Sequence, residues 1–379
     1  MKNVAIIIGT RPEAIKMAPI YKLMKQNSLL NPIFISTGQH RELLISVSQD
    51  FEIEFDVDMS LMTHNQSLGK FVSVLISSLD DFLSSNRFDL VLVHGDTITS
   101  TVVAMVSFWN KIKVGHVEAG LRTYNLRSPF PEESNRQLTS RLADINFCPT
   151  ELSLKNLESE NLNTKLNFVT GNTVIDSLLL MRNKILDNVE LQSSIRNSFD
   201  ISMFNNKIVL ITGHRRENFG VNFQEFADAI IQLSNIYPNV NFVYPLHLNP
   251  NVRAVFNNLK FSNKNIFLIE PLDYKSFVFV MMQSYIILTD SGGIQEEAPA
   301  LGKPVLVMRD TTERPEAIEA GCCKLIGMNK ASIITEVSLL LDCEQEYNKM
   351  SNIQNPYGDG TASSKIIEHI NSYLNNDNC

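Results

Sequence analysis

The stretch LTDSGGIQEE, residues 288–297, decides the fold of this chain. An apolar run that begins at Tyr285 ends in Asp-Ser-Gly-Gly, and a segment with helical character follows. In α/β domains a parallel strand leads into a helix in this way, and glycines allow close backbone approach. The Ser291 hydroxyl and the Gly292 and Gly293 amides would then lie at a helix N-terminus, which favours anions. The stretch predicts either a phosphate-binding turn or an ordinary turn with Ser291 as N-cap.

The composition is that of a globular protein long enough for two domains. The chain has 379 residues, of which 44% are hydrophobic and 20% are charged. A formal net charge of −8 argues against a nucleic-acid partner, because no block rich in lysine and arginine offsets it. Arginines beside glycine or proline in predicted loops fit a small anionic ligand better than a polyanion.

The cysteines and the N-terminus favour a reducing compartment. The five cysteines form no CxxC pair and have no zinc-like spacing to histidine, so we expect neither a metal site nor a disulfide framework. The first apolar run is too short for a signal peptide, and no run is long enough to span a bilayer. We therefore expect a cytoplasmic protein without a membrane partner.

Strand-like and helical segments alternate in two series. Apolar runs of the first series lie at 4–8, 33–36, 90–93, 114–117 and 145–147. Those of the second series lie at 208–212, 242–244, 266–269, 286–289, 305–307 and 325–326. The alternation predicts an α/β fold with two doubly wound parallel sheets.

We expect a domain boundary near residue 171, between an N-terminal domain (1–171) and a C-terminal domain (172–359). The helical periodicity of 363–374 predicts a last helix, within 360–379, that packs back on the first domain. Ligands of open α/β sheets bind beyond the carboxyl ends of the strands. Two sheets that face a central cleft would therefore place their informative residues at strand ends.

The loop GTRPEAIK, residues 9–16, follows the first strand and opens a helix, with Pro12 in the first turn. It matches neither the dinucleotide fingerprint GxGxxG nor the P-loop GxxxxGK[ST], so no nicotinamide cofactor is predicted. Arg11 and Lys16 either bind a nucleotide or its phosphates, or are surface charges of the helix.

Carboxylates follow later elements of the first series. Asp96, in HGDT, can cap the next helix or act on a substrate. Glu118, in HVEAGLRT, is a poor N-cap, so its place at a strand end favours a functional role. Glu132 and Glu133 begin a helix, where the helix dipole alone could explain them. Paired carboxylates and a histidine are what proton transfer at carbon and oxygen requires.

Basic residues follow strands of the second series. His214 comes after a glycine at a strand end and adjoins two arginines, which favours contact with a phosphate or leaving group. His247 is less specific and could support the site or bind an effector. Arg314 follows a later strand and could complete an anion site with the Asp-Ser-Gly-Gly turn.

Together these loops resemble those of the bacterial non-hydrolysing UDP-N-acetylglucosamine 2-epimerases, and the resemblance covers essentially the whole chain. Its carriers are GTRPEAIKMAP (9–19), HGDT (94–97), GHVEAGLRT (115–123), PEESNRQ (131–137), TGNTVID (170–176), GHRREN (213–218), DSGGIQEEAP (290–299) and GKPVLVMRDTTERPEA (302–317). So many long matches in the same order are specific to that family.

The resemblance implies a glycosyltransferase-B-like fold, with the active site between two Rossmann-like domains. It implies interconversion of UDP-GlcNAc and UDP-ManNAc without a cofactor, in agreement with the missing dinucleotide fingerprint. In the family, anti elimination breaks the anomeric C–O bond to give UDP and 2-acetamidoglucal. UDP then adds back, and the proton is delivered to the other face of carbon 2. The resemblance also implies a supply of ManNAc units for surface polysaccharide and a homodimer.

The family's functional positions fall on the loops described above. Its catalytic residues match Asp96, Glu118, Glu132 and His214. Its nucleotide-binding residues match Arg11, Lys16, Arg136, Ser291, Gly292, Gly293, Glu296 and Arg314. On this basis Glu118 or Asp96 handles the proton at carbon 2, His214 contacts the leaving diphosphate, and Glu296 suits the ribose hydroxyls. The division of labour among the acids stays open.

The resemblance also implies a second, activating nucleotide-sugar site. Its positions match Gln39, Gln66, Glu133, Arg215 and His247. The chain departs from the family at Glu42, where some members have glutamine, and at Asn65, where some have arginine. A carboxylate and a missing cation both weaken the binding of a second anionic nucleotide sugar.

Two related enzymatic functions are the alternatives. A hydrolysing epimerase would release UDP and free ManNAc, and a glycosyltransferase would need an acceptor. The intact GTRPEAIKMAP and GHRREN stretches favour the non-hydrolysing epimerase. A catalytically inactive sensor is disfavoured, since the acids and the histidine are all present.

Overall fold

The chain folds into two compact units in a computed structural model that describes residues 1–38, 41–62, 66–163, 165–213, 221–246 and 263–376. Unit 1 consists of Met1–Leu180 and Tyr357–Cys379, and unit 2 of Met181–Pro356. Each unit is built on one parallel sheet, so the predicted α/β class with two Rossmann-like sheets is confirmed.

Unit 1 contains a seven-stranded sheet in the order β3-β2-β1-β4-β5-β6-β7, and every pairing is parallel. Its strands are β1 (Lys2–Ile8), β2 (Leu30–Ser36), β3 (Val57–Asp58), β4 (Leu90–His94), β5 (Lys113–Val117), β6 (Ile145–Cys148) and β7 (Leu166–Val169). The sequence predicted no strand at β3, because two residues are too few to show a periodicity.

The helices of unit 1 pack in two rows. They are α1 (Arg11–Lys25), α2 (Arg41–Phe51), α3 (Leu68–Ser85), α4 (Ile98–Trp109), α5 (Glu132–Leu142), α6 (Glu151–Ser159) and α7 (Thr173–Leu186), which continues into unit 2, together with the last helix, α15 (Ala362–Asn376). Helix α4 packs between α3 and α5, and α1 packs between α2 and α15. The β-branched and apolar side chains of the central strands are fully buried, which explains their nearly continuous apolar runs.

Unit 2 contains a six-stranded sheet in the order β10-β9-β8-β11-β12-β13, again with every pairing parallel. Its strands are β8 (Lys207–Thr212), β9 (Val240–Pro245), β10 (Ile266–Ile269), β11 (Ser284–Thr289), β12 (Val305–Val307) and β13 (Cys323–Leu325). Its helices are α8 (Val189–Asn197), α9 (Val221–Ile236), α10 (Tyr274–Gln283), α11 (Gly292–Glu297), α12 (Pro315–Ala320), α13 (Lys330–Asp342) and α14 (Glu344–Ser351), with two 3₁₀ turns at Ile201–Phe204 and Ala298–Leu301.

Each sheet reverses its strand order at one point. In unit 1, β1 lies between β2 and β4, and in unit 2, β8 lies between β9 and β11. A crevice opens at such a switch point, outside the carboxyl ends of the strands. The carboxyl ends of β1 and β4, and those of β8 and β11, therefore lie where α/β sheets bind ligands.

The last helix, α15, returns to unit 1 and packs on α1. The backbone N–H of Ser363, near its start, donates to Asp176 Oδ1 of α7 at 2.7 Å. The ring of His369 stacks on that of Phe168, with 3.7 Å between the ring centroids. Within the described ranges, no helix is both long enough and apolar enough to cross a membrane.

Candidate active site

Glu13 joins the two loops at the switch point of unit 1. Its Oε2 accepts hydrogen bonds from Gly9 N at 3.1 Å, Thr10 N at 2.7 Å and Thr10 Oγ1 at 2.8 Å. Its Oε1 accepts from Thr97 Oγ1, in the loop after β4, at 2.7 Å. Burial raises the pKa of Glu13, and these hydrogen bonds oppose the shift. Glu13 was not predicted as a site residue, although Thr-x-x-Glu before a helix is the signature of a capping box.

Glu118 is the centre of a buried polar cluster at the end of β5. Its backbone is left-handed, with a φ of 64°, which is uncommon and strained for a residue with a side chain. Lys16 Nζ of α1 forms an ion pair with Glu118 Oε2, and Asn172 Nδ2 donates to the same oxygen at 2.9 Å. His94 Nε2, at the end of β4, lies 3.8 Å from it. Lys16, which the sequence predicted as a nucleotide ligand, therefore forms an ion pair with Glu118, a predicted catalytic acid.

His94 is neutral at physiological pH. Burial lowers its pKa to about 4, and although the Glu118 carboxylate opposes the shift, the Lys16 ammonium adds to it. A neutral imidazole beside a carboxylate and an ammonium can exchange hydrogen bonds without adding a second positive charge. In HGDT only the aspartate was predicted to have a role, because the sequence around a histidine at a strand end does not show what the ring will contact.

His116 supports the loop after β4 from the neighbouring strand. Its Nε2 donates to the Gly95 carbonyl at 2.8 Å, and its Nδ1 lies 3.2 Å from Ser140 Oγ. A carbonyl can only accept, so Nε2 carries the hydrogen and Nδ1 accepts from the hydroxyl. Burial lowers the pKa of His116 to about 3, so the ring stays neutral. Gly95 itself has a φ of 63°, which glycine adopts without strain.

Asp96 pairs with Arg136 of α5. Arg136 Nε donates to Asp96 Oδ2 at 3.1 Å, and Nη2 donates to the same oxygen. The N-cap of α4 is Thr97, whose Oγ1 accepts from Ser100 N at 3.0 Å. The capping interpretation of Asp96 is therefore wrong, and its carboxylate is aimed at α5 instead.

The two glutamates that begin α5 differ in their surroundings. Glu133 is fully buried and accepts from Thr123 N and Tyr124 N, both at 3.0 Å, and from Arg136 Nη1 at 3.3 Å. Glu132 has a buried Oε2 with no hydrogen-bond partner among the described residues.

The buried Nε of Arg11, in α1, also has no hydrogen-bond partner among the described residues. Buried polar atoms are nearly always paired, so these two are candidate contacts for a bound substrate.

Ser291 occupies the N-cap of α11, but its side chain makes no capping hydrogen bond. Its backbone N–H donates to Thr289 Oγ1 at 3.0 Å, and that hydroxyl lies 2.6 Å from Thr212 Oγ1. These bonds tie the end of β11 to the end of β8 at the switch point of unit 2. The turn therefore has the N-cap geometry of the simpler hypothesis, while the serine hydroxyl is not used for capping.

Glu296 and Arg314 form an ion pair behind this turn. Glu296 is fully buried, and Arg314 Nε donates to its Oε1. A Cβ added at Gly292 would lie 3.7 Å from the Arg314 guanidinium carbon, so the glycine leaves the guanidinium room beside the turn. Asn355 Nδ2 donates to the Glu296 carbonyl at 2.7 Å. The structure thus brings together Gly292, Glu296 and Arg314, all three predicted as nucleotide-binding residues.

The structure describes only some of the predicted site residues. Gln39, His214, Arg215 and His247 lie outside the described residues, as does Asn65. Gln66 is described and precedes α3. Gly293 follows Gly292 in the first turn of α11. Within the described part of the chain, no group of three or more His, Cys, Asp or Glu side chains could hold a metal ion.

Comparison with known proteins gives a single result. A family model described as UDP-N-acetylglucosamine 2-epimerase matches residues 22–371. Over 381 aligned residues the chain is 48% identical to a Campylobacter jejuni protein of that name, covering 100% of this chain and 99% of the relative. It is 50% identical over 369 residues to the Neisseria meningitidis protein of that name, covering 97% and 99%.

Solved structures agree. A Neisseria meningitidis UDP-GlcNAc 2-epimerase bound to UDP-GlcNAc has a TM-score of 0.90 and 48% identity, covering 98% of this chain and 100% of that one. A Methanocaldococcus jannaschii enzyme in complex with UDP-GlcNAc and UDP has a TM-score of 0.81 and 31% identity, covering 98% and 99%. The predicted glycosyltransferase-B-like fold class is confirmed by these neighbours.

Proposed function

The chain belongs to the UDP-N-acetylglucosamine 2-epimerase family, a family of isomerases, as its motifs predicted, and on that premise we propose that it interconverts UDP-GlcNAc and UDP-ManNAc by eliminating UDP and adding it back. The main support is the buried cluster at the end of β5. There a carboxylate, an ammonium group and a neutral histidine meet around Glu118. Such a cluster suits proton transfer to and from carbon.

The first step removes the proton from carbon 2 and breaks the anomeric C–O bond. The C–H electron pair forms the C1–C2 double bond of 2-acetamidoglucal, and the C–O pair leaves with UDP. We assign the proton to Glu118 and Asp96, whose loops follow the adjacent strands β5 and β4. Two carboxylates from neighbouring strand ends can serve opposite faces of the sugar, as inversion at carbon 2 requires. Glu132 is the third acid of this group, and its buried Oε2 supports a substrate contact.

The departing UDP needs positive charge and hydrogen-bond donors where its own charge develops. We assign the diphosphate to Ser291, Gly292, Gly293 and Arg314, and His214 to the leaving oxygen. The serine hydroxyl, unused in capping, supports this assignment. We assign Glu296 to the ribose hydroxyls, which a carboxylate can accept.

Three cations of unit 1 complete the proposed substrate contacts. Arg11 has a buried Nε without a described partner, which supports its assignment to the nucleotide. Lys16 and Arg136 each pair with a proposed catalytic carboxylate. We propose that both cations hold these carboxylates in position, in addition to attracting the anionic substrate.

Proton NMR of UDP-GlcNAc in deuterated water tests the proposal. We expect UDP-ManNAc with deuterium at carbon 2, formed without an acceptor or a cofactor. Free ManNAc as the sole product would show a hydrolysing epimerase instead. Turnover that requires an added acceptor would show a glycosyltransferase.

We propose that the enzyme acts as a homodimer. Phe108 and Trp109, at the end of α4, are 59% and 54% exposed, and Leu138 on the adjacent helix α5 is 51% exposed. Large apolar side chains exposed on neighbouring helices favour an interaction surface there. Sedimentation of the parent protein and of Trp109→Glu should give a dimer and a weakened dimer, respectively. A monomeric parent would refute the proposal.

The second nucleotide-sugar site stays a prediction. The Glu133 carboxylate already accepts hydrogen bonds from Thr123, Tyr124 and Arg136. Together with the departures at Glu42 and Asn65, this favours weak or absent activation by substrate. We expect the rate to rise hyperbolically with UDP-GlcNAc, whereas a sigmoidal dependence would establish the second site. The entry of ManNAc into surface polysaccharide also stays a proposal, which loss of that sugar from a gene deletion strain would support.

A further inference from the structure

We propose that Asn172 is a positioning residue that holds the Glu118 carboxylate in its working orientation, an inference that rests on the proposed role of Glu118 at carbon 2. Asn172 lies in the TGNTVID stretch and is only 2% exposed. Its Nδ2 donates to Glu118 Oε2 at 2.9 Å. The two residues are 54 positions apart, so the contact depends on the fold rather than on local sequence.

The orientation of the Asn172 amide is fixed by the hydrogen bond of its oxygen atom, Oδ1. Asn172 Oδ1 accepts from Val174 N, in the first turn of α7, at 3.0 Å. A backbone N–H can only donate, so the oxygen must face the helix and the NH₂ group must face Glu118. The start of a helix is a rigid support, because its first N–H groups need such an acceptor.

The backbone of Asn172 is fixed by the returning C-terminal segment. Asn172 N donates to the Tyr357 carbonyl at 2.7 Å, and the Tyr357 side chain is 1% exposed. Gly171 has a φ of 93°, and a Cβ there would lie 3.3 Å from the Tyr357 carbonyl oxygen. A Cβ at Gly358 would lie 3.6 Å from the Gly171 Cα. Gly171 therefore allows the two segments to meet closely, and Gly358 has a φ of 125°, a backbone conformation that favours glycine. The two segments thus clamp Asn172.

This support complements the ion pair with Lys16. An ammonium group on a flexible stem attracts a carboxylate but does not define its direction well. The amide, anchored through Val174 and Tyr357, adds a contact of fixed direction to the same oxygen. Glu118 also sits on a strained left-handed backbone, where its orientation depends on such contacts. Misplacement of a catalytic group by about 1 Å can cost about 10²-fold in rate.

Two substitutions test the proposal. Asn172→Ala removes the donor, and we expect kcat to fall by about 10²-fold with KM changed by less than about threefold. Asn172→Asp keeps the volume and the acceptor for Val174 N but places a carboxylate oxygen against Glu118. It should lose more activity than Asn172→Ala, because the two carboxylates repel each other and Glu118 is turned away from its orientation. Rates are expressed per UDP-binding site, titrated calorimetrically, so that a misfolded fraction does not count.

The matched control is Asn146→Ala. Asn146 is fully buried in β6 of the same sheet, and its Nδ2 donates to Asn167 Oδ1 at 3.0 Å. Asn146 lies on the strand next to β5, paired with His116, and its removal deletes a comparable hydrogen bond that does not involve the Glu118 carboxylate. We expect lower stability but an unchanged kcat per UDP-binding site. Equal kcat losses in Asn146→Ala and Asn172→Ala would overturn the proposal.

A double-mutant cycle separates positioning from structural support. Glu118→Asp shortens the side chain by one methylene, so its carboxylate no longer reaches the Asn172 amide. If Asn172 acts through Glu118, adding Asn172→Ala to Glu118→Asp should lower kcat by less than about threefold. If kcat of the double variant falls by the product of the two single-variant losses, the inference is refuted. Wild-type activity in Glu118→Gln would refute the proposed role of Glu118 at carbon 2, on which the inference rests. An inactive Glu118→Gln with fully active Asn172 variants would refute positioning alone.

Discussion

Each unit contains a glutamate with a largely buried side chain paired with a cation: Glu118 with Lys16 in unit 1, and Glu296 with Arg314 in unit 2. The pairs resemble each other in burial and in charge. They differ in what surrounds them. Glu118 sits at a strand end with a left-handed backbone, and its partners come from α1, from the end of β4 and from the residue before α7. Glu296 sits within a helix, and its own carbonyl is held by Asn355.

The difference indicates different tasks. An ammonium group can rotate and rebond when its partner gains a proton, and a neutral histidine lies close by to share the change. A guanidinium keeps its charge and its planar geometry, so the Glu296–Arg314 pair suits rigid recognition. The first arrangement favours proton transfer, and the second favours binding of a group that is released and recaptured unchanged.

Glu118→Gln should have the largest effect. Glutamine keeps the size of the side chain but cannot take a proton, so we expect kcat to fall by about 10³-fold or more. Deuterium incorporation at carbon 2 should fall in parallel, while UDP affinity stays within about threefold of the parent. The matched control is Glu160→Gln, because Glu160 likewise pairs with a cation of unit 1, the Arg122 guanidinium, at 2.6 Å. A kcat for Glu118→Gln within tenfold of the control would remove the contrast between the two pairs.

Glu296→Gln should act on binding. Loss of a charged hydrogen-bonding group costs about 1.5–3 kcal/mol, so we expect the Kd for UDP, measured by calorimetry, to rise by about 10- to 100-fold. The kcat should change much less than in Glu118→Gln. Glu313→Gln is the control, since Glu313 pairs with Arg309 at 2.9 Å in the same unit. If Glu296→Gln lowered kcat as strongly as Glu118→Gln, the two pairs would not divide the work as proposed.

Arg136→Lys should lower activity less than the two glutamate substitutions. It replaces a rigid guanidinium of unit 1 with a flexible ammonium group. Arg136 contacts both Asp96 and Glu133, which a lysine cannot do with the same geometry. We expect kcat/KM to fall by about tenfold. A steady-state assay measures this, with Arg141→Lys on the same helix as control. Unchanged kcat/KM would show that Asp96 needs only a nearby positive charge.

The sequence predicted the strand ends at which these residues lie but not their partners. Runs such as 90–93 and 286–289 gave the sheets because a buried parallel strand has a local apolar signature. Lys16 and Glu118 are 102 positions apart, and no local pattern encodes their contact. Lys16 was therefore predicted as a nucleotide ligand, and Asn172 was given no role. The interpretation of Asp96 as a helix cap failed for a local reason, since the adjacent Thr97 is an equally good cap.

The smallest expected effect is on the pH dependence of the free energy of unfolding. It compares the two units as wholes rather than their two ion pairs. Both fully buried histidines that the structure describes, His94 and His116, lie in unit 1, with pKa values lowered to about 4 and about 3. Above pH 6.5 each is neutral in the folded and the unfolded chain and contributes no pH dependence. Below pH 6.5, these histidines take up protons in the unfolded chain, whereas in the folded chain the buried rings stay neutral until the pH approaches their lowered pKa values.

The free energy of unfolding of unit 1 should therefore decrease as the pH falls from about 6.5 towards about 4, by about 1.4 kcal/mol per pH unit for each histidine. His116→Gln keeps a donor for the Gly95 carbonyl and removes one of the two titrations, so it should halve this part of the slope. Glu13, whose pKa is raised, gives an opposite contribution that cancels between parent and variant. Urea unfolding at several pH values measures the difference. An identical slope in both proteins would mean that His116 is protonated in the folded state, and the fixed neutral support assigned to the loop before Asp96 would be wrong.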